Sequence, residues 1–330
     1  MSRHAVIQAV GHALPVKVYT NDELAREKNI DTSDEWIVQR TGIKERHICS
    51  GDEGCYSLAI EAGREALQKS GLKPEEVDMV IVGTVSGDYI WPSTACFVQD
   101  ALGLKNAGAF DVSAACAGFI YSLANATGLI ETGVIDNALV IGVDALSKQI
   151  DWSDRSTCIL FGDAAASVVV KAVEGGDRGV IKTVMLSDGS GAPFISNDAG
   201  GTKYPPNCVT PEGIKYGIQM KGNEVYRFAI KAMGDACEKV LAEAGLKASD
   251  VDLFVPHQAN LRIIDAAAER FKFPSDKVFV NVHKYGNTSG GSIPLALYEA
   301  VETGQLKPGM LVLTVGFGAG LVWGANLIRW

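Results

Sequence analysis

The chain has no paired cysteines: its seven cysteines are scattered, odd in number and never in a C-x-x-C arrangement. That excludes a zinc ribbon and a disulfide framework, and it points to a reducing, cytoplasmic setting. Long apolar runs are missing too. No uninterrupted stretch is long enough to span a bilayer, and the opening MSRHAVIQAVGHALPVK lacks the apolar segment and cleavage site of a secretory signal. Positive charge is in deficit, with 30 Lys and Arg against 39 Asp and Glu and a formal net charge of −9. That balance argues against nucleic acid as the main partner, and an acidic protein partner would have to meet a local basic patch. What is present is an ordinary globular composition, 47% hydrophobic and 21% charged, in 330 residues. Such a chain can bury one large core or two joined ones.

The chain repeats itself. EALQKSGLKPEEVDMVIVGT (65–84) lines up with KVLAEAGLKASDVDLFVPHQ (239–258), so that Gly71, Leu72, Lys73, Val77 and Asp78 fall on Gly245, Leu246, Lys247, Val251 and Asp252 at an offset of 174. Further along, IETG (130–133) matches VETG (301–304) at an offset of 171, and buried-strand patterns follow both, NALVIGVDA and GMLVLTVGF. A period this long marks duplicated domains and not a solenoid. Each half reads as helix, turn, apolar strand, then strand, turn and helix, which predicts an α/β fold of βαβ units with mainly parallel sheets. The halves are 1–175 and 176–330, joined at EGGDRG (174–179). Residues 187–217, rich in Gly, Pro, Asn and Asp, read as a long loop or cap, a length that is often functional.

The duplication also locates the chemistry. DVSAACAGF (111–119) places Cys116 where a strand turns into a helix, among small residues. Such a thiol is either a small hydrophobe filling a tight site or a nucleophile whose ionisation the helix start favours. The matching place in the second half is VFVNVHKYGNTSGGSIPLALYEA, with Asn287 at the turn, and the first half's IVGT is answered by FVPHQAN, with His257 at a strand end. A lone histidine is more often structural, and Asn-Thr-Ser is a good turn sequence. Placement at equivalent strand ends favours a shared site, because catalytic groups in α/β sheets gather outside the carboxyl ends of strands. Cys, His and Asn in this order also occur in papain-like hydrolases, but AACAGF (114–119) is unlike their CGSCW flank, and the duplicated pattern argues against them.

Across its whole length the chain resembles the β-ketoacyl-acyl carrier protein synthase III family of the thiolase superfamily. The motifs that carry the resemblance are TSDEWIVQRTGIKERH (32–47), DVSAACAGF (111–119), DRSTCILFGDAAA (154–166), MKGNEVYRFA (220–229), PHQANLRI (256–263), YGNTSGGSIP (285–294) and GFGAGLVWGA (316–325). It implies a thiolase-like duplicated fold, two similar five-stranded halves in α-β-α-β-α layers, and a homodimer. It implies that Cys116 takes an acyl group, acetyl, from acyl-CoA, with the backbone N–H groups of Cys116 and Ala319 around the oxyanion. His257 and Asn287 would then stabilise the enolate formed when malonyl-acyl carrier protein loses carbon dioxide. By the same resemblance Trp36 and Arg155 hold the adenine of CoA, and Arg40, Gly222, Asn223 and Asn260 hold its phosphates and pantetheine arm. Phe317 lies beside the thiol, Arg262 docks the acidic carrier, and Trp91 belongs to a loop that approaches the acyl pocket of the neighbouring subunit. No metal and no cofactor is implied, since acyl-CoA is a substrate. Ala164 and Ala166 replace usual glycines, Gly290 and Gly291 replace usual alanines, and Trp91 is bulkier than the usual residue. A condensing enzyme of secondary metabolism with another acyl starter is the alternative on the same fold. A non-catalytic carrier-binding protein is disfavoured by the intact Cys116, His257 and Asn287.

Overall fold

Runs of Val, Ile and Ala alternate with amphipathic helices along the chain. In the computed structural model, which describes residues 3–206, 211–212 and 214–330, they form two sheets with helices between and outside them. The first stretch runs β1 (Arg3–Ala13), β2 (Val18–Thr20), α1 (Asn21–Glu27), α2 (Asp34–Thr41), β3 (Glu45–His47), α3 (Cys55–Ser70), β4 (Met79–Gly83), α4 (Thr94–Ala101) and β5 (Gly108–Val112). It continues with α5 (Gly118–Glu131), β6 (Asn137–Asp144), α6 (Arg155–Cys158) and β7 (Ala164–Glu174). After a short connection come β8 (Gly179–Ser187), β9 (Ile195–Ser196), β10 (Gln219–Met220), α7 (Gly222–Ala244), β11 (Leu253–Pro256) and α8 (Leu261–Phe271). The chain ends with α9 (Val282–Tyr285), α10 (Ser292–Glu302), β12 (Leu311–Gly318) and β13 (Val322–Arg329).

The large sheets share one plan. The first has the order β1-β7-β6-β4-β5, with β4 parallel to β5 and β6, and β7 antiparallel to β1 and β6. The second has the order β11-β12-β13-β8, with β11 parallel to β12 and the other pairs antiparallel. The sheets are therefore mixed and not mainly parallel. In the second sheet the reason is local, because the few residues between β12 and β13 can only turn the chain back on itself.

Among the described residues the second sheet has no fifth strand. Its place is held by one bridge, Phe254 with Val278. The run VFVNVH cannot pair further because Gln258 Oε1 takes the backbone N–H groups of Asn281 and Val282, at 2.9 and 3.1 Å. The offset of 174 otherwise recurs element by element: Met79 and Leu253 start β4 and β11, Gly118 and Ser292 start α5 and α10, and Asn137 and Leu311 start β6 and β12. Helix α10 has 11 residues against 14 in α5, and the longer loop that follows it restores the register. That accounts for the offset of 171 at the ETG motifs.

Helices α5 and α10 lie between the two sheets, α3 and α4 cover the outer face of the first, and α7 and α8 that of the second. Phe119, Ile120, Leu123 and Ile130 of α5 are fully buried there, each worth roughly 1.5–3 kcal/mol relative to exposure. Close approach needs glycine where β4 meets α5: a Cβ on Gly83, at the end of β4, would fall 2.6 Å from the carbonyl carbon of Gly118. Between β8 and β10 the chain forms a 3-10 turn (Gly189–Phe194) and the small β9–β10 pair instead of one uninterrupted loop. Residues 207–210 and 213 of the expected 187–217 cap lie outside the described residues.

Candidate active site

Beyond β5 the chain passes through a 3-10 turn, Ala115–Ala117, before α5 begins, so Cys116 sits in the turn and not in the helix. Its counterpart turn, Ser289–Gly291, comes from the second half. Ala115 at φ 44° and Ser289 at φ 50° are both left-handed, a conformation that side chains hold only where the surroundings over-determine it. The two turns meet, with Cys116 Sγ 3.2 Å from Ser289 Oγ. Burial pushes the thiol up to about 12, the hydrogen bond with Ser289 opposing and the charge of Asp144 adding to the effect. The thiolate expected from a helix start is not the resting form. Helix-terminal stabilisation reaches at most about 2 kcal/mol, whereas the rise from an ordinary 9.0 to about 12 corresponds to roughly 4 kcal/mol.

His257 follows the last residue of β11 and is fully buried, its backbone N–H on the Val315 carbonyl at 2.7 Å. Its Nδ1 lies 2.5 Å from Ser292 Oγ, while Nε2 has no partner among the described residues. The tautomer follows from counting protons. Ser292 is 1% exposed and has no other acceptor for its hydroxyl among the described residues, so its O–H donates to Nδ1 and the ring proton resides on Nε2. Burial lowers the histidine to about 3, so the ring is neutral. In the first half the places of His257 and Ser292 are taken by Gly83 and Gly118, whose backbones touch. One copy thus packs two glycines where the other holds a histidine and its serine.

Asn287 is not at a strand end. It follows α9 and is held by two backbone bonds, its N–H to Leu160 at 2.9 Å and its carbonyl from Gly162 at 3.1 Å. Its Oδ1 accepts from Ser289 N–H at 2.9 Å, which fixes the amide and leaves Nδ2 as the donor group. Its counterpart by offset is Ser113, and that of Cys116 is Gly290. The joint between the two halves is the buried carboxylate of Asp144, at the end of β6. It accepts from Thr84 Oγ1, Val85 N–H and Ser86 Oγ on one side, at 3.1, 2.9 and 2.7 Å, and from Gly290 N–H at 2.9 Å on the other.

A cavity of about 890 Å³ is lined by Cys116, His257, Asn287, Phe317 and Ala319 together with Trp36, Arg40, Gly222, Asn223, Asn260 and Arg262. Gly318 brings β12 onto Cys116: a Cβ there would lie 2.6 Å from the Cys116 nitrogen. Phe317 meets the His257 ring edge-on at 5.6 Å between centroids. Gly222 and Asn223 open α7, whose cap residue Lys221 makes no side-chain capping bond, leaving leading N–H groups free for an anion. Asn260 spends its side chain on structure, accepting from Arg262 N–H at 2.9 Å and donating to the Arg40 carbonyl at 3.1 Å.

Arg262 is exposed and 6.0 Å above the Tyr226 ring. The guanidinium carbons of Arg40 and Arg155 stand 4.1 and 4.8 Å from the Trp36 ring. Arg155 does not line the cavity, and since it rests on the indole, a planar base enters between them only when the two part. Trp91 is 82% exposed, beside Ile90 at 84%, and does not line the cavity of its own chain.

Sequence reasoning missed Asp144, Ser289 and Ser292. The one signal for Asp144 is an acidic residue closing the otherwise apolar strand NALVIGVD. Among the described residues, no cluster of His, Cys, Asp or Glu is arranged to hold a metal ion, and no helix is long and apolar enough to cross a membrane.

A family model for 3-oxoacyl-[acyl-carrier-protein] synthase III matches residues 110–189, and the model for the C-terminal part of that family matches 241–330. β-Ketoacyl-[acyl-carrier-protein] synthase III of Caldanaerobacter subterraneus subsp. tengcongensis is 49% identical over 326 residues, covering 99% of this chain and 98% of its own. The crystal structure of 3-oxoacyl-[acyl-carrier-protein] synthase III from Aquifex aeolicus VF5 superposes with a TM-score of 0.90 at 46% identity, over 99% of this chain and 100% of that one. The priming β-ketosynthase of the R1128 polyketide biosynthetic pathway gives a TM-score of 0.92 at 35% identity, covering 99% and 96%. The fold is thiolase-like, and the chain belongs to the β-ketoacyl-[acyl-carrier-protein] synthase III family.

Proposed function

We propose that this protein loads an acetyl group from acetyl-CoA onto Cys116 and condenses it with malonyl-acyl carrier protein, the step that initiates fatty acid synthesis. The observation that carries this reading is that Cys116, His257 and Asn287, supplied by both halves of the chain, line one cavity. In the first half-reaction the Cys116 sulfur attacks the thioester carbonyl while the thiol proton passes to the departing CoA sulfur, giving S-acetyl-Cys116 and CoA. The N–H groups of Cys116 and Ala319 serve the oxyanion. In the second, His257 Nε2–H and Asn287 Nδ2–H donate to the malonyl thioester oxygen. The carbon–carboxylate bond breaks, carbon dioxide leaves, and the enolate carbon attacks the acetyl carbonyl. The Cys116 sulfur is expelled, taking up a proton, and the β-ketoacyl chain remains on the carrier. A neutral ring with its proton on Nε2 suits this donor role.

Trp36, Arg40 and Arg155 form the nucleotide end of the site, and Gly222, Asn223 and Asn260 flank the pantetheine arm. Arg262, exposed at the mouth, docks the acidic carrier on an otherwise acidic molecule. The two halves are 1–175 and 176–330, a division supported by the passage of the chain from β7 to β8 at 174–179. The working form is a homodimer, supported by the exposed Tyr89, Ile90 and Trp91, in a reducing cytoplasm where a free thiol persists. The likeness to a polyketide-priming enzyme keeps a second reading, another acyl starter on the same chemistry, and a panel of acyl-CoA primers separates the two.

Incubation with acetyl-CoA followed by digestion and mass spectrometry is expected to place acetyl on Cys116, and malonyl-carrier is expected to discharge it with release of carbon dioxide. Acetyl on Cys55, Cys96 or Cys158 with Cys116 unmodified overturns the assignment.

A further inference from the structure

The motif that carries Trp36 and Arg40 continues into KERH, and the cavity does not use Arg46. That side chain is nevertheless the largest fully buried one described. It has no ion pair among the described residues, and its Nε has no partner. A buried cation without a touching carboxylate costs several kcal/mol, and an apolar side chain of similar volume often serves stability better. Stability therefore does not account for an arginine here.

Its contacts do. Nη1 donates to Asn21 Oδ1 at 2.6 Å, and Nη2 donates to the Ile159 carbonyl at 2.9 Å. Because its oxygen faces the guanidinium, the Asn21 amide turns its NH2 group outward, donating to Asp34 Oδ1 and to the Ile43 carbonyl, each at 2.8 Å. Asp34 is the first residue of α2, and Ile43 directly follows its capping Gly42. Ile159 caps the end of α6. One guanidinium and one amide thus grip both ends of the helix bearing Trp36 and Arg40 and the end of the helix bearing Arg155. The fork geometry of arginine lets one side chain hold two directions at once, which a lysine cannot reproduce.

We propose that Arg46, acting through Asn21, is a positioning residue for the nucleotide end of the acyl-CoA site, setting Trp36 and Arg40 at a fixed distance from Arg155. The proposal rests on the reading that these three side chains receive the nucleotide of acyl-CoA. It predicts a defect confined to substrates that carry a nucleotide.

The test compares acetyl-CoA with acetyl-N-acetylcysteamine, a thioester without a nucleotide, in Arg46→Lys and Asn21→Ala, with thermal unfolding measured alongside. KM for acetyl-CoA is expected to rise about tenfold or more in both variants, with kcat/KM for the short thioester and KM for malonyl-carrier unchanged. Asn21→Ala decides the matter if Arg46→Lys does not fold, because it cuts only the arm to α2. Equal loss with both thioesters, or a lower Tm with KM for acetyl-CoA unchanged, overturns the proposal. Trp36→Ala and Arg155→Ala are the controls. If they leave KM for acetyl-CoA unchanged, the nucleotide reading fails and the proposal with it; if they raise it while the Arg46 and Asn21 variants do not, the proposal alone fails.

Discussion

At Cys116 two effects compete, and burial is the larger. The thiol is pushed up to about 12, so it is protonated at neutral pH and its reactive fraction grows with every step upward in pH. Alkylation of Cys116 by iodoacetamide is expected to climb about tenfold per pH unit between pH 7 and 10; a rate that levels off below pH 8 shows a preformed thiolate instead. For His257 the sign is the opposite. With the imidazolium form disfavoured down to about 3, the ring stays neutral above that pH and remains a donor throughout the working range. Malonyl decarboxylation should therefore show no break near pH 6.5. In His257→Ala or Asn287→Ala it should fall about 10²–10³-fold, while acetyl transfer to Cys116 persists. Single-turnover labelling set beside carbon dioxide release measures both, and equal loss of the two half-reactions means that the donors also activate the thiol.

The elements that aim these side chains are short and closely packed. Strand β4 and helix α5 touch backbone to backbone, with the missing Cβ of Gly83 only 2.6 Å from the Gly118 carbonyl carbon. Neither backbone can yield without moving the Ala115–Ala117 turn that holds Cys116. Gly83→Ala is expected to lower stability by about 1–3 kcal/mol and to slow acetyl transfer, read as a lower denaturant midpoint together with a slower loading rate. An unchanged midpoint means that the helix start can shift away without cost. In the second half the equivalent positions hold His257 and Ser292, and there the contact is a side-chain hydrogen bond. The duplicated framework thus packs backbone on backbone in one copy of the strand–helix junction and joins side chains in the other.

On the scale of the whole molecule, Asp144 joins the loop after β4 to the turn before α10, and that loop leads into the exposed Tyr89, Ile90 and Trp91. An exposed apolar tip of this kind supports the proposed homodimer. If Trp91 fills the partner's acyl pocket, the native protein prefers acetyl-CoA, and Trp91→Ala extends loading of Cys116 to butyryl-, hexanoyl- and octanoyl-CoA. Each methylene newly accommodated is worth roughly 0.8 kcal/mol. A native preference for the longer primers refutes the pocket role of Trp91.

Local pattern was enough to read the duplication, the strand–turn–helix around Cys116, and His257 as the second half's departure from the first. These are repeats and side-chain types at fixed spacing, and they need no knowledge of distant contacts. Asn287 was legible as a partner, but its exact counterpart was not, because its position depends on Leu160 and Gly162 far back in the chain. The missing fifth strand was decided by one side chain, Gln258, taking backbone donors that a strand needs. No local pattern singles out Ser289, Ser292 or Arg46, and Asp144 shows only as an acidic residue closing an apolar strand, until folding brings their partners to them. The protonation of the site belongs to the same class: residue types alone name a thiol and an imidazole, but only the tertiary structure removes the water around them, and it is that loss of solvation that holds the thiol protonated and the imidazole neutral.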